Sequence, residues 1–204
     1  MSPILISPPD FLPDEAKIVC QLFEQGLQRF HIRKQTQEIE EVRLYLKNIP
    51  QSLHNQIVLH NHFELLQEFE GLGGLHFNAK NPFSEVVLAQ YKGKIFTQAC
   101  HSFEEIQSLD ERISYCFLSP IYDSISKENY RSSFSSTAIK AFFPQYKRAT
   151  KVVALGGIKP ENQAKTLSFG FDKVAVLGYI WDQYSKNGSE KALFERWEKM
   201  RNEK

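Results

Sequence analysis

The chain has 204 residues and a mass of 23.7 kDa, enough for one well-buried domain. Its 25 Lys and Arg against 24 Asp and Glu leave a net charge of +1, which excludes a general binder of nucleic acid or anionic membrane. Apolar residues at 42% and charged residues at 24% exclude a disordered or fibrous chain. No apolar run approaches the roughly 20 residues that cross a bilayer. The start, Met1 to Asp10, lacks a secretory pattern, and Cys20, Cys100 and Cys116 are odd in number and far apart. A cytoplasmic protein with no membrane or nucleic-acid partner is the expectation.

Short apolar runs alternate with longer amphipathic ones. Strands are predicted at Pro3–Ser7, Gln28–Arg33, Gln56–His60, Gly74–Phe77, Lys94–Gln98, Ser114–Ser119, Lys151–Leu155 and Lys173–Leu177. Pro13-Asp14-Glu15 opens a first helix that Gly26 closes, with Ala16, Val19, Cys20 and Phe23 on one face. Thr36-Gln37-Glu38 starts a second, with Ile39, Val42 and Leu46 inward. Asn162 to Phe169 forms a later helix, ended by Gly170. Ser189 caps the last, where Leu193, Phe194, Trp197 and Met200 recur at helical spacing. About eight strand–helix units of roughly 25 residues predict a single-domain (β/α)₈ barrel. An open doubly wound sheet is the alternative, but Ser7-Pro8-Pro9-Asp10 cannot supply a glycine-rich turn after the first strand. The longest irregular stretch is Ser119–Ser133, long enough to suggest a functional loop.

In such a barrel the chemistry sits at the carboxyl ends of the strands. Alternation places His31, Arg33 and Gln35 on one face at the end of the second strand. A guanidinium pointing into the mouth needs an anionic ligand or an ion pair. His60-Asn61-His62, His76-Phe77-Asn78 and His101 follow the next three strands. No HxxxH or HExxH spacing occurs and carboxylates are scarce there, so no metal centre is expected from these histidines. They read as hydrogen-bonded mouth residues or as acid/base groups near neutral pH. Gly156-Gly157 and Gly178 end the last two strands, where bare backbone N–H groups suit a phosphate.

Three stretches carry a family resemblance: His101-Ser102-Phe103-Glu104-Glu105, Ser119-Pro120-Ile121-Tyr122 with Ser124, Ser126 and Lys127, and Val152 to Asn162. Together with Phe30-His31-Ile32-Arg33 they resemble the thiamine phosphate synthases and the related TenI-like thiazole tautomerases. The resemblance runs over nearly the whole chain. It implies the barrel, small-molecule phosphate partners and a homodimer. For the synthase branch it implies joining of an aminopyrimidine methyl diphosphate to a thiazole phosphate, with release of pyrophosphate and help from Mg²⁺. Arg33 and Lys127 match the diphosphate positions. Gly156, Gly157, Leu177 and Gly178 match the thiazole-phosphate site, and Gln35, His60, Asn61, Asn81, Ser119 and Ser126 fall at other substrate positions.

The departures are specific. His31 stands where synthases carry glutamine, and Gln35 where they carry lysine. Both Mg²⁺ aspartates fall on amides, Asn61 and Asn81, although Mg²⁺ strongly prefers carboxylate oxygens. The tautomerase branch fits Phe30-His31-Ile32-Arg33 better, yet its histidine after the sixth strand is Pro120. His31, His76 or His101 would then have to move the proton. Three expectations follow: a divergent synthase, a thiazole tautomerase, or a non-catalytic binder of thiazole or thiamine phosphate. Trp181, Tyr184 and Phe143 are candidate exposed aromatics for an interface.

Overall fold

The computed structural model describes residues 2–123 and 134–202. Eight parallel strands close into a barrel in sequence order, with β1 hydrogen-bonded to both β2 and β8. They are β1 (Ile4–Ile6), β2 (Phe30–Ile32), β3 (Ile57–Leu59) and β4 (Gly74–Phe77), then β5 (Ile95–Cys100), β6 (Ile113–Leu118), β7 (Lys151–Ala154) and β8 (Lys173–Val176). Each overlaps a predicted strand. The fold is the predicted (β/α)₈ barrel.

Helices α1 (Glu15–Glu24), α2 (Ile39–Lys47), α3 (Leu65–Glu68), α4 (Glu85–Gln90) and α5 (Phe103–Gln107) cover the first half. Helices α6 (Ser136–Phe142), α7 (Pro160–Leu167), α8 (Gly178–Asn187) and α9 (Glu190–Asn202) cover the second. Ser84, Ser102 and Ser135 cap three of them through hydroxyls that accept backbone N–H groups of Val87, Glu105 and Ala138. The inward face of α1 is turned from expectation. Ile18 and Leu22 are buried with Val19 and Phe23, whereas Ala16 and Cys20 are only half-buried.

Two cores result. The larger lies between barrel and helices; the smaller fills the barrel and contains Ile4, Ile6, Phe117, Val153 and Ala175. Trp181 and Tyr184 belong to the larger, which corrects their expected exposure. Trp181 donates its indole N–H to Ile6 O at 2.9 Å, and Tyr184 donates to Pro13 O at 2.7 Å. Phe143 is partly buried against Phe171. No described helix is long and apolar enough to cross a membrane.

The turn leaving β2 is anchored by a buried ion pair. Lys34 Nζ lies 2.8 Å from Glu15 Oε2 and also donates to Asp10 O at 2.7 Å. Glu15 further accepts from the Tyr45 hydroxyl and the Leu12 N–H. Burial pushes the Glu15 carboxyl up and the Lys34 ammonium down, each against the pull of its partner. Removing one partner strands a charge in the interior. Lys34→Ala is expected to cost about 3–5 kcal/mol in denaturant unfolding. Lys17→Ala, which removes the exposed pair with Glu190, is expected to cost under about 1 kcal/mol.

Candidate active site

A cavity of about 680 Å³ opens at the carboxyl ends of the strands. Arg33, Gln35, His60, His76, His101 and Ser119 line it, and so do Gly156, Gly157, Leu177 and Gly178. These ten predicted residues are thus brought together. His31 lies beneath, enclosed in the barrel. Lys127 and Ser126 lie outside the described residues. Asn61 and Asn81 are not among the lining residues. Asn61 Nδ2 donates to Lys34 O at 3.0 Å and Asn81 Nδ2 to His60 O at 2.9 Å, so both amides brace backbone instead. Asn78, from the His76-Phe77-Asn78 stretch, also lines the cavity, and so does Lys80, which the sequence reading did not single out. Its signal was present in the sequence as a polar residue following β4.

Arg33 is held at its backbone, where its N–H donates to Ser7 Oγ at 2.8 Å. Its guanidinium reaches Gln35 Oε1 at 3.5 Å, and no carboxylate pairs with it among the described residues. Partial burial holds its pKa below the usual value. A desolvated cation without a counter-charge is primed for an anion.

The glycines at the β7 exit have a packing reason of their own. Gly156 and Gly157 adopt φ values of +100° and +64°. A Cβ at Gly156 would stand 2.8 Å from Pro120 Cα, and one at Gly157 would stand 2.6 Å from Asp123 O. The segment after β6 is tied to this exit by Ile121 N–H to Leu155 O at 3.0 Å and Tyr122 N–H to Gly156 O at 3.1 Å. At the β8 exit, Gly178 begins α8, so the helix start faces the cavity.

Three histidines from adjacent strands meet in the interior. His31 Nδ1 lies 2.9 Å from His60 Nε2, and His31 Nε2 lies 2.6 Å from Tyr115 Oη. The His60 and His76 rings stack with centroids 4.0 Å apart. Thr97 has one hydroxyl proton and contacts Leu75 O at 3.3 Å, an acceptor only, and His76 Nδ1 at 2.7 Å. Both contacts are satisfied when Thr97 donates to Leu75 and His76 donates from Nδ1. His76 then keeps its lone pair on Nε2. His101 sits at the rim, and its Nδ1 donates to Ser119 O at 3.0 Å. His54 and His62 are bonded to Ile49 O and Gln37 O, away from this cluster.

The three clustered rings offer nitrogens within 4.8 Å of one another, a proximity that no sequence spacing revealed. Burial and neighbouring positive charge hold His31 and His60 well below the ordinary imidazole value, and burial brings His76 to about 3. All three are neutral at pH 7.

A family profile described as thiamine monophosphate synthase matches residues 4–180. The chain belongs to that family. A thiamine phosphate pyrophosphorylase from Bacteroides thetaiotaomicron is 31% identical, with a TM-score of 0.84 over 98% of this chain and 96% of that one. A thiamine-phosphate synthase of Latilactobacillus sakei is 27% identical over 130 residues, 62% of this chain. That match spans 57% of the Latilactobacillus protein, and a match to the Anoxybacillus flavithermus thiamine-phosphate synthase, 24% identical over 76% of this chain, spans 66% of that one. A Pyrococcus furiosus thiamine phosphate pyrophosphorylase, at 17% identity, a TM-score of 0.75 and coverage of 98% of this chain and 96% of that one, shares the fold.

The buried histidines set an acid limit on stability. An unfolded imidazole titrates near 6.5, whereas His76 in the fold waits until about 3. Above pH 6.5 both states are neutral at this ring and nothing is lost. As pH falls below 6.5 the unfolded chain takes up a proton that the fold refuses, so stability should fall by about 1.4 kcal/mol per pH unit per ring. Urea unfolding between pH 7 and 5 reads this slope, and His76→Asn should lessen it by one ring's share.

Proposed function

We propose that this chain acts in thiamine biosynthesis, holding a thiazole phosphate and an aminopyrimidine methyl diphosphate in the barrel mouth and joining them with release of pyrophosphate. The observation that carries this is the cavity itself. It sets a guanidinium with no carboxylate partner among the described residues, Arg33, opposite glycine exits at β7 and β8 across the same opening, in a chain of this family. The start of α8 and the bare backbone at Gly178 suit the thiazole phosphate. Arg33 and the exposed Lys80 suit the diphosphate, whose charge must be neutralised as it departs.

The donor set does not fit the Mg²⁺ that the family resemblance implies. Asn61 and Asn81 spend their N–H groups on backbone carbonyls, and neither brings a carboxylate. Asp182, the carboxylate among the described lining residues, stands on α8. No step is therefore routed through a metal. Incubation of the two substrates should yield thiamine phosphate, and Arg33→Ala should slow it by about 10²-fold or more. No product at high enzyme concentration, with or without Mg²⁺, would exclude the joining reaction.

One observation favours a second activity, proton transfer on a thiazole carboxylate phosphate. His60 and His76 are neutral and lie in the cavity wall, with the His76 lone pair on Nε2. Metal-free aromatisation of that substrate, lost in His76→Ala and retained in Arg43→Ala, would establish it. Thermal stabilisation by thiazole phosphate with neither product would instead mark a binding protein.

A further inference from the structure

A line of hydrogen-bonded side chains runs between the cavity and the amino-terminal end of the barrel, and neither activity above uses its inner members, Tyr115 and His31. Tyr115 Oη contacts His31 Nε2, and His31 Nδ1 contacts His60 Nε2, at 2.6 and 2.9 Å. His31 is fully enclosed, whereas His60 lines the cavity. Tyr115 is partly exposed and stands level with Lys151, the exposed first residue of β7. It packs beside the small interior core, two residues before the cavity-lining Phe117. The line therefore spans the barrel interior.

We infer that Tyr115, His31 and His60 form a proton relay between a molecule bound in the cavity and the amino-terminal end of the barrel. The inference goes beyond either activity and holds whichever reaction the cavity performs. Each of the three groups both donates and accepts, so the line has two complete arrangements of its protons. In one, Tyr115 donates to His31 and His31 to His60, which leaves a proton on His60 Nδ1. In the other, His60 donates to His31 and His31 to Tyr115, which leaves a lone pair on His60 Nδ1.

The step balances. A proton leaves the bound molecule, which keeps the bonding electron pair, and adds to His60 Nδ1. The Nε2 proton of His60 passes to His31 Nδ1, and the Nε2 proton of His31 passes to Tyr115 Oη. The former hydroxyl proton of Tyr115 passes to water. Each ring gains one N–H bond and loses one, so neither retains a charge that its enclosure would penalise. The reverse sequence delivers a proton.

A metal ion is the competing use of three clustered imidazoles. The stacked His60 and His76 rings argue against it, because near-parallel rings aim their in-plane lone pairs side by side and not at one point. The 2.9 Å separation of His31 Nδ1 and His60 Nε2 is a hydrogen-bond length with a proton between them. His76, fixed by Thr97, stands outside the relay and serves as its control.

The test needs no substrate. In full-length protein labelled with ¹⁵N-histidine at pH 7, both nitrogens of His31 and His60 should resonate between the protonated and unprotonated extremes. His76 should show a fixed Nδ1–H form. Tyr115→Phe removes the far partner, and His31 and His60 should each shift to a single form protonated at Nδ1, with His76 unchanged. Single fixed forms in the native protein would overturn the relay from the native spectrum alone, even if the variant failed to fold. Failure of Tyr115→Phe to shift the two rings would also overturn it. Uptake of one Zn²⁺ per chain that perturbs all three rings together would overturn it in favour of a metal site.

Discussion

Closure of the barrel is the constraint from which the rest follows. Once β8 pairs with β1 through Ile4 to Ala175 and Leu5 to Val176, no strand edge remains, and the inward side chains of eight strands must share one enclosed volume. Most such positions in a small barrel are filled by branched apolar residues. Here the side facing β2, β3 and β4 is filled by imidazoles instead, with Thr97 and Tyr115 completing their hydrogen bonds. Polar groups are admissible in that space because each finds a partner, and because burial keeps the rings uncharged.

The same constraint explains why Lys34 is buried while Arg33, its neighbour, faces the mouth. Alternation along the end of β2 sends one side chain to each side of the barrel wall. The outward lysine meets Glu15 at the head of α1, where Tyr45 and the Leu12 N–H complete the carboxylate's bonds. That anchorage holds the backbone from which Arg33 projects. The cation that has no carboxylate among the described residues is therefore displayed by one that has one.

Much of this was legible in the sequence, for reasons that can be named. The apolar runs of a parallel barrel are short and nearly continuous, so all eight strands stood out, and glycines with polar residues after them marked the mouth. Helix α8 was less visible because it begins directly at Gly178, whose glycine reads as a turn. Trp181 and Tyr184 read as exposed for the same reason, since without that helix their inward face had no period to follow. The histidine cluster was illegible because its members lie on three strands separated by whole helices. Tyr115 gave no signal because it lies at the amino-terminal end of β6, away from the rim where chemistry is sought. The amide side chains of Asn61 and Asn81 were plain in the sequence, but their hydrogen-bond partners were not. An amide that braces a carbonyl and one that touches a ligand look alike there.

The glycine pair at the β7 exit binds two strand ends into one part. Pro120 through Asp123 occupies the room that side chains at Gly156 and Gly157 would need, and two backbone hydrogen bonds hold the pieces together. Neither exit is free to be redesigned alone. Over evolutionary time a new loop after β6 must arrive with a matching change at β7, so this corner of the mouth diversifies in coupled steps. The β2, β3 and β4 exits carry no such interlock of glycine against backbone, so each can change on its own.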